Sequence, residues 1–262
     1  VQLSVAAGTD IGRVRAGNED SLHAEADRQR GVFVVADGMG GHAAGEVASA
    51  MAVEILVREL VGAPDLSAPE VLARMGQGIV AANAAIFDRT RREPEKQGMG
   101  TTVSALLLGE GRYIIGHVGD SRVYLLRQGV LRQVTRDHSW VQEQVDAGHL
   151  TPALARTHPY SNVITRCVGA NASVEPDLLQ GTLEDGDLFL LASDGLTGMV
   201  DDPLLQRLLE GRSGPGRMVD ALINEANRRG GVDNITAIVV QVLQVARVAG
   251  PSTGEHPAVT HG

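Results

Sequence analysis

The sequence predicts an α+β protein: a central sandwich of two mainly antiparallel β-sheets, flanked by α-helices. Three observations point there. The apolar runs are short and numerous, and several are apolar without alternation, as in strands covered on both faces. Two long helical patterns lie together among the early strands. Strands and helices do not alternate regularly, which argues against a doubly wound parallel sheet.

Taken in order, Val32 to Ala36 is an apolar run that reads as a strand. Ala44 to Leu60 reads as a helix with Val47, Met51, Ile55 and Val57 or Leu60 on its apolar face. Pro69 to Arg92 reads as a second helix, because Val71, Met75, Ile79, Ala82 and Ile86 recur at intervals of three and four. Ser67-Ala-Pro-Glu70 supplies its start signal, a capping serine with Pro and an acid behind it. Thr102 to Leu108, Tyr113 to Val118 and Val123 to Leu126 follow as strands. Tyr113 to Leu126 reads as one hairpin, with Gly119-Asp120-Ser121 as its turn. A short helix fits Trp140 to Ala147, a strand Leu188 to Ala192, a helix Met218 to Arg229 and a last strand Ile235 to Val242. No linker or repeat divides residues 1–246, which read as one domain. Residues 247–262, rich in Pro, Gly, Ser, Thr and His without periodicity, read as a flexible C-terminal tail.

Composition narrows the function. The 262 residues are 43% hydrophobic but include only three Phe, three Tyr and one Trp, so the core must come from Val, Leu, Ile and Ala. There are 32 glycines without a Gly-X-Y period, which excludes collagen and implies many tight turns. Lys and Arg number 23 against 32 Asp and Glu, a formal charge of −9, and no basic block stands out. Nucleic acid is therefore not an expected partner, since phosphate neutralisation needs clustered positive charge. The single cysteine, Cys167, excludes an internal disulfide and a multi-thiolate zinc site, and suggests a reducing compartment. No membrane segment or signal-peptide pattern is present in the sequence, so a cytoplasmic location and a monomer are expected.

The informative feature is where aspartates interrupt apolar runs. Asp37 follows Val32 to Ala36 and precedes Gly38; Asp194 follows Leu188 to Ser193 and precedes Gly195. Asp120 sits in Gly119-Asp-Ser121, and Asp233 lies in Gly231-Val-Asp-Asn234 before the last strand. Each is a carboxylate delivered by a strand, with glycine nearby to let the backbone bend. Mg²⁺ and Mn²⁺ take oxygen ligands of this kind while keeping waters. Taken singly, each aspartate is equally a turn residue. Independent turns need not meet in space, whereas ligands must. Upstream, Arg13 and Arg15 lie close to Glu19 and Asp20, either a surface ion network or a guanidinium suited to bidentate phosphate contact beside acids.

Six segments carry a resemblance: Arg15-Ala-Gly-Asn-Glu-Asp-Ser21, Val34-Val-Ala-Asp-Gly-Met-Gly-Gly-His42, Gly98-Met-Gly-Thr-Thr102, His117-Val-Gly-Asp-Ser-Arg122, Leu191-Ala-Ser-Asp-Gly-Leu196 and Gly231-Val-Asp-Asn-Ile-Thr236. In this order, across residues 7 to 243, the chain resembles the metal-dependent PPM (PP2C-type) serine/threonine protein phosphatases of the soluble bacterial kind. The resemblance implies a four-layer αββα fold and hydrolysis of phosphoserine and phosphothreonine in proteins. The implied partners are phosphorylated proteins, among them Ser/Thr kinases or their substrates. It implies two core Mn²⁺ or Mg²⁺ ions bridged by Asp37, with the Gly38 carbonyl, Asp194 and Asp233 as further ligands. Glu19 matches the residue holding metal water, Asp20 its support, and Arg15 the phosphate-binding arginine. Asp120 matches the acid that, with Asp194, holds a third and weaker ion. The implied mechanism is direct attack by a metal-bridging water, without a covalent enzyme intermediate.

Where eukaryotic relatives place a histidine as proposed general acid, this chain has Met39, which carries no proton. His42 is read as a helix-entry residue, His117 as a satisfied core histidine, and Asp137 to Ser139 as the cap of the following helix. Ser193 lacks a nucleophile elbow and Cys167 lacks a Cys-x₅-Arg loop, so neither is expected as a nucleophile. Gly148 to Gly169 matches the family's variable flap, where Arg156 and Arg166 are candidates to contact substrate or are surface residues.

Overall fold

The computed structural model describes residues 1–40, 43–62, 66, 69–211 and 214–245. His42, the Ser67 cap and the tail at 247–262 lie outside the described residues. The chain opens with strands β1 (Gln2–Asp10), β2 (Asp20–Ala26) and β3 (Arg30–Met39), then helices α1 (Ala43–Val61) and α2 (Pro69–Arg92). A 3₁₀ turn at Pro94–Lys96 leads to β4 (Gly100–Thr101), β5 (Val103–Gly109), β6 (Arg112–Val118), β7 (Arg122–Arg127) and β8 (Val130–Gln133). Two short helices, α3 (Trp140–Asp146) and α4 (Pro152–Arg156), precede β9 (Asp177–Thr182) and β10 (Leu188–Ala192). Helices α5 (Asp194–Thr197), α6 (Asp202–Leu209) and α7 (Pro215–Arg228) lead to β11 (Ile235–Gln244).

The strands form two antiparallel sheets. One has the order β1-β11-β10-β7-β8; the other is β2-β3-β5-β6-β9, with β4 extending β3. Phe33, Val35 and Leu106 from one sheet meet Phe189, Ile238 and Val240 from the other in the inter-sheet core. Helices α1 and α2 cover the outer face of the β3 sheet, and α5 to α7 cover that of the β11 sheet. This is the expected four-layer αββα arrangement. Among the described residues no helix is long and apolar enough to cross a membrane.

The expected hairpin from Tyr113 to Leu126 does not form. β6 belongs to one sheet and β7 to the other, so Gly119-Asp120-Ser121 carries the chain between sheets. The hairpins on either side of it join β5 to β6 and β7 to β8. Each closes on an X-Gly pair with both residues at positive φ: Glu110 at 51° and Gly111 at 73°, Gln128 at 52° and Gly129 at 77°. That backbone matches strand twist in a two-residue turn. The 119–121 segment has positive φ only at Gly119, so its backbone leaves the sheet.

α1 also differs in detail. Its fully buried face is Ala48, Ala52, Leu56 and Leu60, while Val47, Met51 and Ile55 are only partly covered. Small side chains let the helix settle close to β3, so close approach decided the buried stripe. In α2 the expected Val71, Met75, Ile79, Ala82 and Ile86 are all buried. Strands β1, β2, β8 and β9 carry mostly half-exposed residues and lack the continuous apolar runs that marked the others.

Candidate metal centre

The singled-out acids gather at one end of the sandwich. Asp20 opens β2 and pairs in register with Asp37 near the end of β3. Asp37 lies inside its strand instead of behind it, because β3 continues to Met39 by pairing Gly38 with Thr101. From the facing sheet, β10 ends at Ala192 and Asp194 starts α5, while Asp233 sits two residues before β11. The crossover between the sheets adds Asp120. Strand ends from both sheets thus deliver five carboxylates to one place.

Their electrostatics show that they feel one another. Burial, then the charges of Asp194, Asp20 and Asp120, hold the Asp37 carboxyl well above the usual carboxylate range. Asp37 and Asp194 face each other within side-chain hydrogen-bonding reach. Burial and then Asp233 push Asp194 up; burial, then Asp194 and Asp137, push Asp120 up. Asp20 is raised to about 7 by burial, against the lowering effect of hydrogen bonds from Thr236 and Ser193. Carboxylates so placed need protons or cations between them.

Among the described residues, three carboxylate oxygens are buried with no hydrogen-bond partner: Oδ1 of Asp20, of Asp120 and of Asp194. An unpaired buried carboxylate oxygen is costly, so this set fits hard cations. Among the described residues no three His, Cys, Asp or Glu side chains close around one point as a ready-made cage. The Gly38 backbone is packed against α1: a Cβ there would overlap the Gly45 carbonyl, and one on Gly45 would overlap the Glu19 carboxylate. Two glycines therefore allow helix, strand and Glu19 to close together.

Arg15 stands at the exposed rim and donates from Nη2 to Asp233 Oδ2 at 2.6 Å. Burial works against its charge, but Asp233, Glu19 and Asp37 outweigh that effect and keep it protonated. The arginine close to Glu19 and Asp20 in sequence is thus joined to Asp233, far along the chain.

Several residues that hold this geometry carried no assigned role in the sequence reading. The Thr102 amide donates to the Asp37 carbonyl, while the Asp37 amide donates to Thr102 Oγ1, both at 2.9 Å. Thr102 Oγ1 also lies 2.7 Å from Ser121 Oγ, tying the Asp37 strand to the Asp120 crossover. Ser193 and Thr236 hydroxyls donate to Asp20 Oδ2 at 2.8 and 2.6 Å. Asn234 accepts from the Glu19 amide and donates to the Ile11 and Gly17 carbonyls. The available signal is a hydroxyl or amide inside the motif segments, with Ser193 and Asn234 directly beside Asp194 and Asp233.

A cleft of about 520 Å³ opens beside Asp120, Asp194 and Asp233, walled by α3, α4 and the start of α6. Arg156 lines it and donates to the Thr197 carbonyl. Arg166 lies away from that lining, bound to Asp177 and the Glu175 carbonyl. His117 is fully buried between Ser104 and the Arg136 carbonyl, as expected of a core histidine. Ser139 caps α3 by accepting from the Gln142 amide; Asp137 instead pairs with Arg122. Ser193 Oγ is spent on Asp20, and burial raises the Cys167 thiol.

The protein phosphatase 2C family model matches residues 7–227. The serine/threonine phosphatase PstP of Mycobacterium tuberculosis is 41% identical over 243 residues, covering 92% of this chain and 45% of that protein. The chain thus spans about half the length of that relative. The serine/threonine phosphatase stp of Listeria monocytogenes is 39% identical over 238 residues, covering 89% of this chain and 93% of that protein. Among solved structures, the catalytic domain of PstP in complex with two manganese ions superposes with a TM-score of 0.83 at 39% identity. That match covers 92% of this chain and 99% of the solved one. Sequence, fold and the gathered strand-end acids agree: the chain belongs to the protein phosphatase 2C family.

Proposed function

We propose that the chain is a Mn²⁺- or Mg²⁺-dependent phosphatase that hydrolyses phosphoserine and phosphothreonine in proteins, reversing the action of bacterial Ser/Thr kinases. The observation that carries this reading is the set of partnerless buried oxygens on Asp20, Asp120 and Asp194, with a protonated arginine at its rim. Asp37, the Gly38 carbonyl, Asp194 and Asp233 would hold two core ions, with Glu19 and Asp20 behind their waters. Asp120 and Asp194 would hold a third. Divalent cations bound there supply Lewis acidity, lowering the pKa of water and offsetting charge on phosphoryl oxygens.

The chain's own residues supply position. Arg15, anchored on Asp233, keeps its remaining N–H groups for the phosphate oxygens, a bidentate match in shape and charge. Thr102 holds Asp37 and the Asp120 crossover in one frame, so the acids need not reorganise during reaction. Attack by water on phosphorus breaks the bond to the serine or threonine oxygen, and no enzyme ester forms. Met39 has no proton to give, so the leaving oxygen takes one from water on the Asp120 side of the cleft. Residues flanking the phosphate lie along the flap wall, where Arg156 faces the cleft.

The test is hydrolysis of a phosphothreonine peptide by the 262-residue chain, with Mn²⁺ titrated in and then chelated. Metal-dependent, chelator-reversible turnover supports the proposal. Turnover unchanged by chelation, or unchanged in Asp37→Asn, overturns it.

A further inference from the structure

One buried histidine beside the acidic centre is bonded on both ring nitrogens, yet the reaction above gives it no part. His138 lies just before α3 and is 7% exposed. Its Nδ1 accepts from the Gly119 amide at 3.0 Å, and its own amide donates to the Gly119 carbonyl at 2.7 Å. The residue therefore grips both polar backbone groups of the residue immediately ahead of Asp120. Its Nε2 lies 3.1 Å from Asp177 Oδ2 and 3.0 Å from Arg166 Nη1; because Nδ1 accepts, the neutral ring carries its proton on Nε2, directed at the carboxylate. Arg166 holds the other Asp177 oxygen at 2.9 Å and the Glu175 carbonyl at 3.0 Å.

The crossover has little freedom elsewhere. Gly119 has φ of +111°, and a Cβ there would lie 2.6 Å from Thr102 Cγ2. Ser121 is held on the other side by Thr102 Oγ1, and its carbonyl accepts from Ser104. Asp120 between them has a buried Oδ1 with no partner, so the direction of its carboxylate follows the main chain. The same histidine also carries the flap: the Thr165 amide donates to the His138 carbonyl at 2.8 Å. Next to it, Ser139 bridges Ile164 and the Trp140 amide donates to the Val163 carbonyl.

We propose that His138 is a positioning residue: through Gly119 it sets the direction of the Asp120 carboxylate and ties it to the flap segment at 163–165. The proposal rests on Asp120 belonging to the cation site of the proposed function. Hydrogen bonds that orient a ligand from behind contribute about 10- to 100-fold in metal affinity or activity. His138 thereby makes the flap and the Asp120 ligand one mechanical unit, with the Asp177 carboxylate fixing its tautomer and Arg166 holding that carboxylate.

The experiment compares His138→Ala, His138→Asn and His138→Gln in the 262-residue chain, each checked for folding by circular dichroism. The asparagine oxygen falls near the Nδ1 position and keeps an acceptor for Gly119; the glutamine amide reaches toward the Nε2 position instead. Exchange of the Gly119 amide, followed by NMR without metal or substrate, reads the clamp directly. Calorimetry with Mn²⁺ reads the site that Asp120→Ala removes, and phosphopeptide turnover is followed against Mn²⁺. Faster Gly119 exchange and an Asp120-dependent site weakened about 10- to 100-fold are expected in His138→Ala and His138→Gln. His138→Asn should recover most of both. Parent-like exchange and Mn²⁺ binding in folded His138→Ala, or no advantage of Asn over Gln, overturns the proposal. If the Ala variant does not fold, the Asn and Gln pair decides. A parent chain that hydrolyses no phosphopeptide would overturn the proposed function, while the amide and calorimetric readouts still judge His138.

Discussion

Two groups of shielded aspartates in this molecule are treated in opposite ways. Asp187, 1% exposed, is gripped by Arg127 through Nε at 2.7 Å and Nη2 at 2.6 Å, with the Glu184 amide as a third donor. Asp137 receives Arg122 through Nε and Nη2, and Gln133 as well. In both, a planar guanidinium satisfies the carboxylate. Asp20, Asp120 and Asp194 keep buried oxygens with no partner, and among the described residues the one guanidinium bonded to the strand-end acids is Arg15, on Asp233. The fold is therefore able to neutralise a buried aspartate internally, and does so away from the strand ends. Where it does not, a cation bound from outside the chain, as proposed above, would supply the missing partner.

The strongest attempt to break this contrast exchanges the carboxylates. Asp37→Asn should lower metal-dependent turnover by about 10³-fold, the scale lost with a key electrostatic group. In chelator the same variant should melt above the parent, since a repelled carboxylate is gone. Asp187→Asn should do the reverse, melting lower with turnover per folded molecule kept. Thermal melts and phosphopeptide assays on both proteins check this; equal behaviour would erase the distinction.

Next in size, Arg127→Ala leaves Asp187 buried without its guanidinium and should cost about 3 kcal/mol by urea unfolding. A loss within ordinary surface variation would show that Asp187 finds water instead. Third, Mn²⁺ at about 100 times its dissociation constant should stabilise the parent by about 2.7 kcal/mol per coupled site, by linkage. Asp37→Asn should lose that gain, and Arg127→Ala should keep it. Differential scanning calorimetry with and without the ion decides.

The effect smallest at neutral pH is the pH dependence from His117. Burial, then the neighbouring His138, holds its imidazole down at about 4. The unfolded chain titrates it near ~6.5, so between about 6.5 and 4 the unfolded state takes up a proton that the folded state refuses. Its contribution is complete above that window and is lost as pH falls through it. His117→Gln should flatten the slope of stability against pH by up to about one proton there. An unchanged slope would mean the histidine is already charged in the fold.

How much of the site was legible shows best at Asp37 and Asp120. Asp37 was visible because a continuous apolar strand ends in Asp-Gly, and Gly38 is required where the Gly45 carbonyl packs on it. Asp120 was visible as a turn acid, but the turn was misread. Nothing local distinguishes a loop joining neighbouring strands from one crossing between sheets, except the positive φ pair that the X-Gly turns have and 119–121 lacks. His138 and Thr102 were harder still, since their partners, Gly119 and Ser121 among them, meet them only through tertiary contact.

Local pattern suffices for the elements with long or continuous apolar runs, for the residue types available for oxygen ligation, and for a family resemblance spread along most of the chain. Those depend on interactions within a few residues, or on motifs read in order. Only non-local packing sets β6 and β7 in different sheets, places Ala48 and Ala52 beside Leu56 and Leu60 on the buried face of α1, and brings five acids to one place. Strand partnership and convergence are set by non-local packing, and one short segment serves either sheet until its neighbours are in place.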